Sequence, residues 1–114
     1  MAISVDATRQ QLADTYAGLG KFFGLATADP GTTSTPANEA SGGPYARVAT
    51  TWSSGSGGSE TGSSCPIYAN PATYTYAILC SAASGNTMID NCSIDTTILS
   101  GPGQIVLTPI YQQS

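Results

Sequence analysis

A mainly β domain is what this sequence predicts, a β-sandwich of jelly-roll or immunoglobulin-like kind with one N-terminal helix. Three observations lead there. Short apolar runs recur between turn signals rich in Gly, Pro, Ser and Asn, enough for six or seven strands. Hydrophobic residues make up 40% of the chain but charged residues only 9%, against about a quarter in an average domain. That balance suits strands joined by turns and argues against disorder. One early stretch alone has helical rather than alternating spacing. The 114 residues fit a single domain with a modest core.

The helix runs from Ser4 to Leu19. Val5, Leu12, Tyr16 and Leu19 recur at helical spacing, with Arg9, Gln10 and Asp14 on the other side. Ser4 or Asp6 can cap its start, and Gly18 and Gly20 supply stop signals. Residues 1–20 then have two readings. They form an arm that docks on a neighbouring subunit, or a plug in which Leu12 and Tyr16 fill a local core, which is the simpler role.

Lys21 to Ala28 is the first strand, and Gly24 within it signals a bulge or a close backbone approach. The loop from Asp29 to Gly43 is long for a compact domain. Asp29-Pro30-Gly31 opens it as a turn, and Gly42-Gly43-Pro44 closes it. Tyr45 to Trp52 alternates as a second strand, with Tyr45, Arg47, Ala49 and Thr51 on one face. Asn38, Glu39 and Arg47 are the notable polar group. A charge-assisted Glu39–Arg47 bond would pin the loop across the strand start; the alternative has both projecting at a partner. Aromatic mass concentrates here, in Phe22, Phe23, Tyr45 and Trp52, so the rest of the domain is expected to pack on this pair.

Ser53 to Ser64 reads as a flexible Gly/Ser segment. Without a helix start or a Lys after its glycines it is no phosphate loop. Cys65 to Asn70 is a short strand with an edge-like Pro66. Thr73 to Ala82 is the clearest strand of the second half. After the Ser84-Gly85-Asn86 turn, Thr87 to Ile94 returns as a hairpin strand and Ile94 to Leu99 gives another. Ser100 to Gly103 is a turn, and Gln104 to Tyr111 is the last strand, with Pro109 implying an edge or bulge.

The chemistry of catalysis is sparse. There is no histidine, which removes the commonest general base and metal ligand and the usual Ser-His-Asp and Cys-His sets. Asp90 and Asp95 could be imagined as a calcium or glycosidase pair, but loop aspartates beside Asn91 usually form turns. Asn91-Cys92-Ser93 matches a glycosylation sequon. Three cysteines, Cys65, Cys80 and Cys92, lack metal spacing; a Cys80–Cys92 pair across a hairpin is a minor reading. No enzyme, cofactor or metal is expected. Net charge is −4, and the basic residues are Arg9, Lys21 and Arg47, too few and too scattered for nucleic acid. No segment is long and apolar enough to span a bilayer, and the N-terminus lacks the pattern of a signal peptide.

Thr27-Ala28-Asp29-Pro30-Gly31, then Asn38-Glu39, then Gly42-Gly43-Pro44-Tyr45-Ala46-Arg47, followed by a hydrophobic strand, resembles the pattern of small virion structural proteins of tailed bacteriophages. These are tail fibre, minor tail or capsid decoration proteins. The match covers the first half of the chain, and Pro102 to Gln112 again resembles their last strand. The resemblance implies a virion component assembled in the host cytoplasm. Its leading reading is a capsid decoration protein bound to the shell of major capsid protein and self-associating as a homo-oligomer. The other reading is a minor tail or tail-fibre protein that contacts the host surface. A carbohydrate-binding variant of it would use Tyr45, Trp52, Tyr74 and Tyr76 as a stacking platform. Candidate interface residues are Leu12, Tyr16, Phe22, Asn38, Glu39, Arg47 and Tyr111.

Overall fold

The computed structural model describes residues 2–114. Helix α1 (Asp6–Leu19) is followed by nine strands: β1 (Phe22–Ala26), β2 (Val48–Ala49), β3 (Trp52–Ser54), β4 (Ser59–Gly62), β5 (Cys65–Ala69), β6 (Ala72–Cys80), β7 (Met88–Leu99), β8 (Gly103–Leu107) and β9 (Ile110–Gln112). The fold is mainly β with one N-terminal helix. All pairings are antiparallel and fall into three sheets, ordered β2-β1-β6-β7, β3-β4-β9 and β5-β8. A jelly-roll or immunoglobulin sandwich has two facing sheets; here the three sheets neither close nor curl round. The body is elongated, 47 × 25 × 22 Å.

The main core lies between the four-stranded sheet and the β5-β8 ribbon. Leu25 and Tyr74 from the sheet meet Cys65, Ile67, Ala69 and Ile105 from the ribbon, all buried. Strict alternation along β5 explains this: Cys65, Ile67 and Ala69 point in, Pro66 and Tyr68 out. The opposite face of the large sheet buries Ala26, Ile78, Cys80 and Met88. Tyr74 sits with the ribbon while Tyr76 joins the other face, because a bulge between them shifts the register against β7.

Several elements differ from the sequence reading. The strand expected over Tyr45 to Trp52 is reduced to Val48–Ala49, and Trp52 already belongs to another sheet. Buried Thr50 makes the joint: its amide bonds the Lys21 carbonyl, its hydroxyl the Ser63 carbonyl. The Gly/Ser stretch read as flexible forms the β3–β4 hairpin. Gly57 and Gly58 take positive φ in its turn, a conformation glycine adopts without Cβ strain. Met88 to Leu99, read as two strands, is one edge strand, where exposed aspartates are tolerated. The last strand breaks at Thr108-Pro109: β8 pairs with β5 and β9 with β4, so the chain changes sheet there. Pro109 cannot donate to a ladder, and its carbonyl accepts from Gly62 instead.

The helix starts one residue after its N-cap Val5, with no side-chain cap, rather than with capping by Ser4 or Asp6. It is also rotated from the expected orientation. Ala13 is buried and Gln10 and Tyr16 face the protein, whereas Val5, Leu12 and Leu19 are exposed. The reason is polar. The Gln10 amide accepts from the backbone of Gly58 and Ser59 and donates to the Ser59 carbonyl, satisfying the hairpin turn. At its end, Gly20 is extended and serves a close approach: a Cβ there would lie 2.6 Å from the Cys80 carbonyl oxygen.

Candidate functional site

Loop Asp29–Gly43 is built from the inside. Asp29 Oδ1 accepts from Gly31 N at 2.9 Å, forming an Asx turn, and Gly31 takes φ +90°. Asn38, also at positive φ, donates its amide to the Asp29 carbonyl at 3.0 Å. The returning segment then runs along β1, past the end of β2. Thr27 N bonds Asn38 O, Ala40 N bonds Leu25 O, and Glu39 bridges Ala26. The outer part of the loop reaches β7 through Ser34 O to Met88 N and Gly31 O to Asn91 Nδ2.

Glu39 and Arg47 form the electrostatic centre of this arrangement. Arg47 Nε and Nη2 donate to the two carboxylate oxygens of Glu39, each at 2.8 Å. Nη1 donates to Ala82 O and Thr87 Oγ1, and Nη2 also to Gly85 O. All five guanidinium donors are thereby used, and the side chain is only 3% exposed. The Glu39 hydrogen bonds are the main cause holding Arg47 above its usual range. Tyr45 Oη donates to Glu39 Oε2 at 2.7 Å and accepts from Leu25 N, covering a β1 amide that lies beyond the last β2 pair. Burial, then Glu39, raises the Tyr45 phenol pKa. A Cβ at Gly24 would collide with that hydroxyl, so the glycine marks a close approach.

A second cluster joins α1 to the sheets. Tyr16 stacks on Tyr111 with ring centroids 3.7 Å apart and meets Trp52 edge-on. Tyr16 Oη donates to Asp90 Oδ2 at 2.7 Å. Burial first, then Asp90, pushes its pKa up. Trp52 Nε1 donates to the Gly20 carbonyl, and its ring also meets Phe23. These aromatics line a cleft of about 440 Å³ whose other walls include Ile94 and Leu107.

The structure therefore divides the seven candidate residues. Asn38, Glu39 and Arg47 belong to the loop anchor and are engaged internally. Tyr16 and Tyr111 pair with each other, half-buried. Phe22 is half-buried against the Ala26, Ile78, Cys80 and Met88 cluster, with Lys21 over its ring. Leu12 is 41% exposed on the outer face of α1, beside Val5 and Leu19. The ribbon adds an outward pair, Tyr68 and Val106.

Tyr45, Trp52, Tyr74 and Tyr76 do not form one exposed platform: Tyr74 is 2% exposed, and Tyr45 and Trp52 are held in separate clusters. All three cysteines are free thiols. The register sets Cys80 against Met88 and Cys92 against Ala77, so Cys80 and Cys92 do not bridge. Among the described residues no three Cys, Asp or Glu side chains converge as metal ligands, and no helix is long and apolar enough to cross a membrane. Sequence reasoning passed over Glu60, set Gln10 on the outer side of the helix and read Asp90 as a turn former. Only the tertiary contacts give these three their roles.

A family model described as "Podophage GP4 fiber I protein gp80" matches residues 7–105. No curated protein and no solved structure matches.

Proposed function

The chain belongs to the podophage GP4 fiber I protein gp80 family, and from that membership we propose that it is a tail-fibre component which packs against other fibre or tail proteins. It is a non-enzymatic structural protein of a phage virion. The family description favours the fibre reading over capsid decoration, the leading expectation from sequence. The match over residues 7–105 carries this conclusion. The fold is in keeping with it: an elongated body with a firmly anchored loop and apolar side chains left on its outside.

Leu12, with Val5 and Leu19, is the proposed contact on α1, and Tyr68 with Val106 the proposed contact on the ribbon. Large apolar side chains grouped on a surface are where protein partners bind. Self-association into a homo-oligomer uses the same surfaces. A carbohydrate role on the host side loses support with the dispersal of its aromatic platform.

The test is location and copy number in purified particles. Gold-labelled antibody against the chain should mark the tail end, with far fewer copies than the major capsid protein. Label spread over the head at shell-like stoichiometry would overturn the fibre reading and restore decoration.

A further inference from the structure

Glu60 is the acidic residue that this fold buries, at 3% exposure. Its cross-strand neighbours are Ser54 on β3 and Tyr111 on β9. Directly paired residues point to one face, so Ser54, Glu60 and Tyr111 form a row beneath α1. The helix engages both ends of that row: Asp14 accepts from Ser54 Oγ at 2.7 Å, and Tyr16 stacks on Tyr111. Glu60 lies between them, under the middle of the helix, where Ala13 is fully buried.

Glu60 Oε2 is buried and has no hydrogen-bond partner among the described residues. The charged groups on the covering helix are Asp6, Arg9 and Asp14. Arg9 pairs with Asp6 at the helix start through Nη2, its Nε is buried without a partner, and it makes no ion pair with Glu60 among the described residues. The β3 neighbour Ser54 turns its hydroxyl to Asp14, and the β9 neighbour Tyr111 turns its own to Gln113. An ionised Glu60 would thus hold a buried oxygen without a donor beside a second carboxylate. A protonated Glu60 supplies a hydroxyl that Asp14 can accept. Asp14 already takes hydrogen bonds from Ser54 and Gln10, which favour its charged form.

We propose that a single proton held between Glu60 and Asp14 latches α1 onto the β3-β4-β9 sheet, and that the helix loosens when this proton is lost. The titrations agree in direction. Burial first, then Asp14, raises the Glu60 carboxyl above its ordinary 4.5, while the Ser54 and Gln10 bonds lower Asp14 below 3.8. A group with a raised folded pKa contributes its stability in full below the unfolded value and loses it as pH climbs through the folded one. For a lowered pKa the contribution is lost as pH falls. Docking is therefore firmest in mildly acidic solution and weakens toward neutral and alkaline pH.

The test is amide hydrogen exchange of the full chain, corrected for intrinsic rates, between about pH 4.5 and about pH 8. Amides of α1 should lose protection on the order of tenfold more than those of β6 across that range. Trp52, the single tryptophan, should shift its emission in parallel. Glu60→Gln keeps the shape, stays neutral and can donate to Asp14, so it should flatten both responses. Asp14→Asn should diminish them, since it removes the neighbouring charge and supplies a donor while the burial of Glu60 remains; it also covers the case in which Glu60→Gln fails to fold. A wild-type α1 response no steeper than that of β6, or an undiminished response in Asp14→Asn, would overturn the latch.

Discussion

Replacing Arg47 is the sharpest test of how the long loop is held. Alanine at this position removes five hydrogen bonds at once. It leaves the Glu39 carboxylate with the Tyr45 hydroxyl alone, removes the Arg47 donor from the Ala82 carbonyl, and leaves the Gly85 carbonyl with Thr87 N. Breaking a buried pair from one side costs about 3–5 kcal/mol, because the remaining charge stays desolvated. Arg47→Ala should therefore destabilise by about 4 kcal/mol, a large share of the roughly 5–15 kcal/mol of a small domain. Arg47→Lys keeps the charge but has three donors and no planar fork, so about 2 kcal/mol is expected. Urea unfolding followed through Trp52 measures both, and a double-mutant cycle with Glu39→Ala should return a coupling of about 2 kcal/mol. The thermal midpoint of Arg47→Ala should fall by roughly 15 °C. A loss below about 0.5 kcal/mol, the level of an ordinary surface change, would refute the anchor.

Two other predictions concern titration and reactivity. Thiol labelling of the native protein should modify Cys92 first, since it is exposed while Cys65 and Cys80 are buried. Burial also pushes the Cys80 thiol up to about 11, so reaction of Cys80 ahead of Cys92 would contradict the fold. Burial raises the phenols of Tyr16, Tyr45 and Tyr74 above the ordinary 10.0. Their contribution to stability is intact below pH 10.0 and lost as pH climbs further. Ultraviolet titration should show these three of the six tyrosines ionising only with alkaline unfolding; smooth native titration of all six would count against it.

The loop anchor was legible because the chain is so poor in charge. With three basic residues in 114, a Glu and an Arg flanking a loop end have few other partners, and a loop of that length requires fixing. The three acceptors that complete Arg47, from Ala82, Gly85 and Thr87, were not legible, since they depend on where the β6–β7 turn lands. The helix was legible as a helix but not in its orientation. Apolar spacing pointed Leu12 inward, whereas the Gln10 amide meets the unpaired backbone of a hairpin turn and draws the polar side in. That hairpin was itself unreadable. Its Ser and Gly residues carry no alternation, and β4 becomes a strand because β3 and β9 pair on its two sides. The change of sheet at Pro109 is likewise a long-range event that local signals mark only as a break.

The residues that carried the resemblance to virion proteins, from Asp29 through Glu39 to Arg47, are engaged within the chain. They fix a backbone path, and nothing in their geometry leaves a donor or charge aimed outward from Arg47. The proposed partner contacts are side chains that the fold does not need. At the helix these are Val5 at the N-cap, Leu12 and Leu19, which stay exposed while Gln10, Ala13 and Tyr16 make the packed face. Leu12→Lys separates the two roles. At 41% exposure it should change unfolding stability by less than about 0.5 kcal/mol, yet it places a charge in the proposed contact and should reduce incorporation into particles. The ratio of variant to wild-type protein in virions from mixed expression reads this directly. Equal incorporation with unchanged stability would remove the helix from the interface and leave the Tyr68–Val106 face of the ribbon as the proposed contact. Loss of stability and incorporation together would mean that Leu12 serves the core after all.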